Sequence, residues 1–196
     1  MRQLLLATHN THKTREFSEI LGPDFVVTGL SGEPGAPAVD ETGSTFAENA
    51  ILKAVAISKQ FSGLIVADDS GLEVDALNGA PGVYSARYAG PDAKDGDNVA
   101  RLLSELRGCA QAPPHRARFH CVLAMACAGE ILETFEGTSE GKIVAPPRGM
   151  AGFGYDPVFQ PVGSTKTFAE LSSAEKNRIS HRAHAISLLR AALAKQ

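Results

Sequence analysis

Two pairs of carboxylates lie where they could bind a metal ion. Asp40 and Glu41 precede a helix signal, and Asp68 and Asp69 follow an apolar run at residues 64–67 that is typical of a buried strand. In open α/β sheets ligands bind outside the carboxyl ends of strands, and acids clustered there need a cation or a proton to offset their repulsion. A small number of hard oxygen ligands suits Mg²⁺. We therefore predict a magnesium site, the alternative being loop acids that only cap backbone N–H groups.

A polar loop near residue 10 could bind phosphate. It joins a predicted strand at residues 4–7 to a predicted helix, so free backbone N–H groups and the positive end of the helix dipole would favour an anion. The loop has no glycine and is not a P-loop. Alternatively, Asn10 or Thr11 caps the helix while Lys13 is solvated. The residues of this predicted phosphate loop are Thr8, His9, Asn10, Thr11, His12 and Lys13.

A glycine-rich segment at residues 149–157 could approach a ligand closely. Its glycines surround two aromatic residues, Phe153 and Tyr155. Glycine allows close backbone approach, and an aromatic ring offers a stacking face. The segment is not the dinucleotide-binding motif, and an ordinary turn with core aromatics is the alternative.

Residues 175–182 contain three cations and a histidine at the start of a predicted last helix. On one continuous helix Lys176, Ser180 and His181 would share a side while Ile179 faces the core, so the basic groups could converge on a ligand. A solvated helical face is the alternative. The other histidines considered have no metal-ligand spacing and are interpreted as structural: His115, His120 and His184.

Composition excludes several classes of protein. Of the 196 residues, 43% are hydrophobic and 21% charged, and the net charge is −3, so we expect a globular protein without a nucleic acid polymer as partner. The first residues have too short an apolar run for a signal peptide, and no stretch is long enough to span a bilayer, which predicts a cytoplasmic protein with no membrane partner. The cysteines lack paired spacing and are expected to be buried and reduced: Cys109, Cys121 and Cys127.

The hydrophobic pattern predicts a single α/β domain over residues 1–196 with a mixed sheet. Helical spacing follows the first strand until Gly22, and Thr45 opens a helix with a capping box that continues to about residue 60. A further helix ends at Gly108, and a helical tail follows a loop at residues 146–161. Antiparallel pairing is expected where a turn at residues 128–130 joins strands at 119–126 and 131–135.

Six segments, in order, resemble the inosine triphosphate pyrophosphatase family, and the resemblance runs over essentially the whole chain. It implies hydrolysis of the non-standard purine nucleoside triphosphates dITP, ITP and XTP to the monophosphate and pyrophosphate, which keeps them out of DNA and RNA. It also implies Mg²⁺ as cofactor, a homodimer, and an elongated mixed sheet flanked by helices, with two lobes and a central active-site cleft. The segments are residues 7–13, 41–54, 67–72, 79–88, 153–157 and 179–182.

The same resemblance assigns roles to individual residues. Glu41 and Asp69 are implied as metal ligands, with Asp69 also the general base, and Lys53 joins the phosphate loop in contacting the triphosphate. His9 departs from the family, in which many members have glycine there, so the loop backbone is more restricted. Further substrate contacts are implied for Ser70, Phe153, Gly154, Tyr155, Asp156, Lys176, His181 and Arg182.

Selectivity for 6-oxopurines is expected from Phe153, Asp156, His181 and Arg182, because adenine reverses both hydrogen bonds at the purine 6 and 1 positions. Two other functions stay open: hydrolysis of modified pyrimidine triphosphates, and non-catalytic sensing of a nucleotide. The sequence leaves undetermined the preference among dITP, ITP and XTP, the exclusion of guanine, the dimer interface, the number of metal ions, and whether Asp68 also ligates metal.

Overall fold

A six-stranded mixed sheet organises the chain, in the strand order β2-β1-β3-β4-β5-β6. The computed structural model describes residues 1–33 and 35–195. β1 pairs in parallel with both β2 and β3, whereas β5 and β6 are antiparallel, which confirms the predicted mixed sheet. The strands are β1 (Arg2–Leu6), β2 (Phe25–Gly29), β3 (Ile65–Val74), β4 (His115–Cys127), β5 (Glu130–Ile143) and β6 (Phe159–Pro161).

The α-helices of the described chain lie between and after these strands. None of the helices in residues 1–33 and 35–195 combines the length and apolarity needed to cross a membrane. The helices are α1 (Thr11–Leu21), α2 (Phe46–Ser58), α3 (Asp95–Gly108), α4 (Ser173–Ile179) and α5 (His181–Leu193).

The chain forms two compact units, and β3, β4 and β5 each contribute residues to both. The first unit contains the chain through Asp69, the segment Cys121–Gly137 and the chain from Arg182 onward, and the second contains Ser70–His120 and Thr138–His181. The predicted single domain with its central cleft stays a prediction.

Each unit has its own hydrophobic core. In the first unit apolar side chains of β1, α1, β3, β4 and α5 pack together, including Leu6, Phe17, Val66, Leu123 and Ile186. In the second unit a group of aromatic rings supports the core, with the centroid of Phe119 4.7 Å from that of Phe159 and 5.8 Å from that of Phe168.

The hairpin between β4 and β5 turns at Ala128 and Gly129, within the predicted turn at residues 128–130, while Glu130 already belongs to β5. Ala128 and Gly129 both have positive φ values, 50° and 86°, as a type I′ turn requires. The turn is fixed to α2 by the hydroxyl of Ser58, which accepts a hydrogen bond from the Gly129 N–H at 3.0 Å.

Two element predictions were wrong. The strand expected to end before Asp68 runs on to Val74, so Asp68 and Asp69 lie inside β3 rather than in a loop. Aspartate has a low β propensity, and here neighbouring cations compensate the buried charges. The predicted tail helix is divided at Ser180, whose φ and ψ of −76° and 154° are extended, and Ile179 is 37% exposed instead of facing the core.

Candidate active site

The phosphate loop follows β1, where the order in which strands are added to the sheet reverses. β2 lies on one side of β1 and β3 on the other, so the chain crosses over here, and such switch points form ligand crevices at the carboxyl ends of strands. Asn10 caps α1, and its Oδ1 accepts from the N–H groups of His12 and Lys13 at 2.9 and 3.2 Å. Thr8 Oγ1 accepts from the Asn10 N–H at 3.1 Å. The expectation of free N–H groups is therefore wrong for these three.

Lys13 is turned away from solvent. Its Nζ contacts Oδ1 of Asp68 and lies 3.4 Å from the Asp68 carbonyl oxygen, and its side chain is largely buried. The alternative of a solvated Lys13 is therefore wrong, although the predicted Asn10 cap is present. The Lys13 amine therefore lies beside β3, the strand that pairs with β1, although Lys13 itself follows β1 along the chain. His9 and the first helical residues Thr11 and His12 are exposed.

A buried network of charges surrounds Asp68. The Arg182 guanidinium donates from Nε to Oδ2 of Asp68 at 2.8 Å and from Nη1 to Oε2 of Glu16 at 2.5 Å. Burial raises the pKa of Asp68, but Arg182 and Lys13 outweigh it and hold the pKa well below its usual range. The Cys121 thiol also donates to Oδ2, at 3.3 Å. Asp68 is therefore an ionised partner of two cations, with both oxygens occupied by side chains.

Asp69, the next residue of β3, is held by Lys53. The Lys53 Nζ lies 2.9 Å from Oδ1 of Asp69, 2.7 Å from Oε1 of Glu41 and 2.9 Å from the Asp68 carbonyl oxygen. Burial raises the pKa of Asp69 above its usual range, although the positive charges of Lys53 and Lys13 act to lower it. The other carboxylate oxygen, Oδ2, is buried and has no hydrogen-bond partner among the described residues.

The two carboxylates of this cluster fit a magnesium ion. Within residues 1–33 and 35–195, no group of three or more His, Cys, Asp or Glu side chains is close enough to hold a metal. Mg²⁺ is usually bound through one or two carboxylates and completes its shell with water and substrate phosphates. Glu41, together with the unpartnered Oδ2 of Asp69, supplies that donor set.

In the second unit the glycine-rich segment is folded around Asp156. Oδ2 of Asp156 accepts from the Phe153 N–H at 2.9 Å and from Nζ of Lys176 at 2.6 Å. Gly152 has a φ of 76°, and a Cβ on it would lie 1.9 Å from Oδ2, so glycine is required there. Lys176 Nζ also lies 5.0 Å from the centroid of the half-buried Phe153 ring. The structure thus brings together three predicted contacts, Phe153, Asp156 and Lys176.

Tyr155 and His181 were predicted to contact substrate, but both rings pack against other side chains of the second unit. The Tyr155 ring belongs to the core of the second unit and its hydroxyl donates to the Ser85 carbonyl oxygen at 2.9 Å, so it anchors the loop rather than offering a stacking face. The His181 ring is buried and stacks on Phe119 with centroids 4.7 Å apart. Ser70 is half-buried in β3.

A cavity of about 550 Å³ lies between α3, along most of its length, and the glycine-rich segment. That volume is in the range of small-molecule sites. Phe153 and Gly154 form part of its wall, and the Gly154 N–H donates to Oδ2 of Asp95, the first residue of α3, at 2.6 Å. Sequence reasoning missed Asp95, since nothing in its local pattern relates it to a loop 59 residues away.

Arg182 was predicted to read the base, and the structure places it in the first unit with its side chain 1% exposed. Its partner Glu16 was missed by sequence reasoning. A signal was available, because Glu16 follows Lys13 by three residues on α1 and so shares its face. Among the cysteines, which are all free, only Cys121 is fully buried, whereas Cys109 and Cys127 are half-buried, contrary to expectation.

A mixed α/β sheet in which two lysines, Lys13 and Lys53, meet a cluster of carboxylates beside β3 is typical of enzymes that act on phosphorylated substrates. The chain belongs to the Ham1 family, whose model matches residues 4–192. It is 52% identical over 190 residues to the dITP/XTP pyrophosphatase of Geobacillus kaustophilus, covering 96% of this chain and 93% of that one. To the dITP/XTP pyrophosphatase of Bacillus subtilis it is 49% identical over 190 residues, with 96% of each chain covered. The structure of a HAM1 protein from Coxiella burnetii superposes with a TM-score of 0.89 at 40% identity, covering 100% of both chains.

Proposed function

We propose that this chain hydrolyses dITP, XTP and ITP to the nucleoside monophosphate and pyrophosphate, and so removes non-standard purines from the nucleotide pool. The observation that carries the proposal is the buried Asp69, whose Oδ2 has no partner among the described residues while Lys53 holds its other oxygen. The names of the Geobacillus and Bacillus relatives support the choice of dITP and XTP, and the resemblance to the family adds ITP.

The triphosphate binds where the cations of the first unit meet. Lys13 and Lys53 both lie beside the Asp68 carbonyl oxygen, at 3.4 and 2.9 Å, so their charges are concentrated at one point of β3. Such preorganised cations stabilise the negative charge that develops on phosphate oxygens in the transition state. The loop from Thr8 to Lys13 supplies the amino-terminal end of α1, which favours an anion.

Asp69 acts as the general base. It takes a proton from the attacking water, whose oxygen forms the new bond to phosphorus as pyrophosphate leaves. Burial raises the pKa of Asp69, which makes the ionised carboxylate a stronger base. Mg²⁺, held by Glu41 and Asp69, would neutralise the triphosphate and stabilise the leaving group. No side chain needs to form a covalent intermediate.

The base binds at the glycine-rich loop of the second unit. The ring of Phe153 provides a stacking surface, while Asp156 and Lys176 are fixed by their mutual ion pair. A site of buried polar groups discriminates by about 1–3 kcal/mol for each hydrogen bond that the wrong base leaves unmade, which gives the expected preference for 6-oxopurines over adenine. The resemblance to the family further supports a homodimer, and the cytoplasmic location stays a prediction from the sequence.

A triphosphate panel tests the proposal. The purified chain is incubated with dITP, ITP, XTP, GTP, ATP, dUTP and a modified pyrimidine triphosphate in the presence of Mg²⁺, and both monophosphate and pyrophosphate are quantified. Many turnovers per chain on dITP, ITP and XTP, with equal amounts of the two products, are expected. Faster pyrimidine turnover would assign another substrate class, and binding without turnover would leave a nucleotide-binding protein.

A further inference from the structure

The loop that carries Glu41 is attached to α2 residue by residue. Oε2 of Glu48 accepts from the Ser44 N–H at 2.6 Å, and Oδ1 of Asn49 accepts from the Gly43 N–H at 2.8 Å. One turn further along the helix, Lys53 donates to Glu41 at 2.7 Å. Later residues of α2 therefore bind earlier residues of the loop: Glu48 binds Ser44, Asn49 binds Gly43 and Lys53 binds Glu41.

Asn49 is an unusual residue for its environment. It is 0% exposed, and its Nδ2 is buried without a hydrogen-bond partner among the residues that the structure describes. A buried amide is costly unless it is hydrogen-bonded, so an apolar side chain would suit this helix face better on packing grounds alone. Among the described residues, the hydrogen bond that Oδ1 accepts from the Gly43 N–H is the only one this side chain makes.

Gly43 completes the contact from the other side. A Cβ added to Gly43 would lie 2.6 Å from Cβ of Glu48 and 2.7 Å from Oδ1 of Asn49, both closer than real Cβ atoms approach. The absence of a side chain is therefore what allows the loop backbone to reach α2. Asn49 and Gly43 form a two-sided attachment two residues from Glu41.

We propose that Asn49 is a positioning residue for Glu41 and, through it, for the divalent cation. Asn49 and Lys53 are four residues apart on α2 and share a face, so the same face that orients Asp69 also fixes the backbone of the Glu41 loop. The inference rests on the proposed function, in which Glu41 and Asp69 hold Mg²⁺. Without the bond to Gly43, the Glu41 carboxylate loses its fixed place beside Asp69.

The test compares three variants for their dependence on metal concentration. Asn49→Leu removes the acceptor while keeping the branched shape and the number of heavy atoms of the side chain, and Gly43→Ala pushes the loop away without changing the sequence of α2. Glu48→Gln is the matched control, because the glutamine oxygen can still accept from the Ser44 N–H and only an exposed charge beside Asn49 is removed. Partners that orient a metal ligand change metal affinity by about 10–100-fold when removed, and we expect a rise of that size in the half-saturating Mg²⁺ concentration for Asn49→Leu and Gly43→Ala only.

Two further measurements separate positioning from a general loss of structure. Excess Mg²⁺ is expected to restore most of kcat in Asn49→Leu, and urea unfolding monitors the fold of each variant. Binding of Mn²⁺ in the presence of a non-hydrolysable ITP analogue, followed by electron paramagnetic resonance, is expected to weaken in parallel with the Mg²⁺ requirement. If Asn49→Leu does not fold, the Mg²⁺ requirement and the Mn²⁺ affinity of Gly43→Ala test the proposal instead.

A reduced kcat with an unchanged Mg²⁺ requirement and unchanged Mn²⁺ affinity in both variants would overturn the proposal. Failure of the proposed function gives a different result. If the wild type releases no pyrophosphate from any triphosphate, the proposed hydrolase function is wrong. The difference in Mn²⁺ affinity between the wild type and the Asn49 and Gly43 variants still tests whether Asn49 positions Glu41.

Discussion

Arg182 and Asp68 form an ion pair in which Nε of the guanidinium lies 2.8 Å from Oδ2 of the carboxylate, and neither side chain is exposed to solvent by more than 1%. Glu16 pairs with the same guanidinium, so one cation is shared by two acids. Removing one partner from such a pair leaves an uncompensated buried charge. The network therefore connects the stability of the first unit to the position of Lys13, which binds the same Asp68.

Replacing Arg182 with alanine should destabilise the fold strongly. Glu16 and Asp68 would both lose a buried cation, and the loss of one member of a buried pair costs about 3–5 kcal/mol. Urea unfolding of Arg182→Ala measures the effect. Arg178→Ala is the control, because Arg178 is exposed on α4 and its loss should change the free energy of unfolding by less than about 0.5 kcal/mol.

The same variant tests whether Arg182 also reads the base. If it does, kcat/KM for ITP and XTP should fall more than kcat/KM for ATP in the folded fraction of Arg182→Ala. An equal proportional loss for ITP, XTP, GTP and ATP would restrict Arg182 to the ion-pair network and leave base selection to Phe153, Asp156 and His181.

Acid should weaken the protein partly through Asp68. The pKa of Asp68 is depressed in the folded state, so its contribution to stability is complete above the unfolded value of about 3.9 and is lost as pH falls through the folded pKa. Asp69 acts in the opposite direction, because its raised pKa makes protonation favour the folded state. Urea unfolding from pH 6 to pH 2.5 should show a shallower loss below pH 4 in Asp68→Asn than in wild type. Identical slopes would contradict the depressed pKa.

The elements that depend on local pattern could be predicted from the sequence. Asn10 at the start of α1, Thr45 at the start of α2 and the turn at Ala128 and Gly129 have strong local signals, and all three were found. The predicted capping box is only half formed, because the Glu48 carboxylate accepts from the Ser44 N–H and not from that of Thr45. The edge strand β2 was missed because it has only five residues and none that is fully buried. The break at Ser180 was missed because neither glycine nor proline marks it.

For the site, residue types were easier to predict than their pairings. The resemblance gave Lys13, Lys53, Glu41 and Asp69, and the structure brings these charges together in the first unit. The pairing of Asp68 with Arg182 joins residues 114 positions apart, and no local period encodes such a contact. Long-range pairings are decided by burial, since a buried charge must find its partner wherever the fold places it.

Asp69→Asn should abolish turnover while the fold remains intact. The amide has the shape of the carboxylate but is a poor base and a weak metal ligand, so we expect kcat to fall at least about a hundredfold. Circular dichroism and binding of a non-hydrolysable ITP analogue check that the variant is folded and still takes up substrate. Wild-type turnover in a folded Asp69→Asn would remove Asp69 from the role of base.

Chelation of divalent ions should stop the reaction. Without a cation, Glu41 and Asp69 would face a polyanion, so EDTA is expected to reduce pyrophosphate release to background and added Mg²⁺ to restore it. Glu41→Gln should raise the Mg²⁺ concentration required for half-maximal rate. A rate that is indifferent to EDTA would mean that the two acids have another function.

The hydrogen bond from the Gly154 N–H to Asp95 should control how tightly substrate binds. Asp95 is the first residue of α3, and the 2.6 Å bond fixes the glycine-rich loop beside a cavity of about 550 Å³ into which the loop could otherwise move. A hydrogen bond to a charged group contributes about 1.5–3 kcal/mol when shielded and less when exposed, so Asp95→Ala should raise KM for ITP by about five- to tenfold. The chemical step depends on Asp69 in the first unit, so kcat should stay within about twofold of wild type.

Two companion variants make that result specific. Asp95→Asn keeps an acceptor oxygen for the Gly154 N–H, so most of the increase in KM should disappear, whereas a purely electrostatic role of Asp95 would give the same KM in both variants. Asp92→Ala removes an exposed acid of the same charge three residues earlier, and its KM should match that of wild type. If Asp95→Ala lowers kcat and leaves KM unchanged, the loop is not set by this bond, because loosening a substrate-binding loop must first appear in the concentration of substrate needed to fill the site.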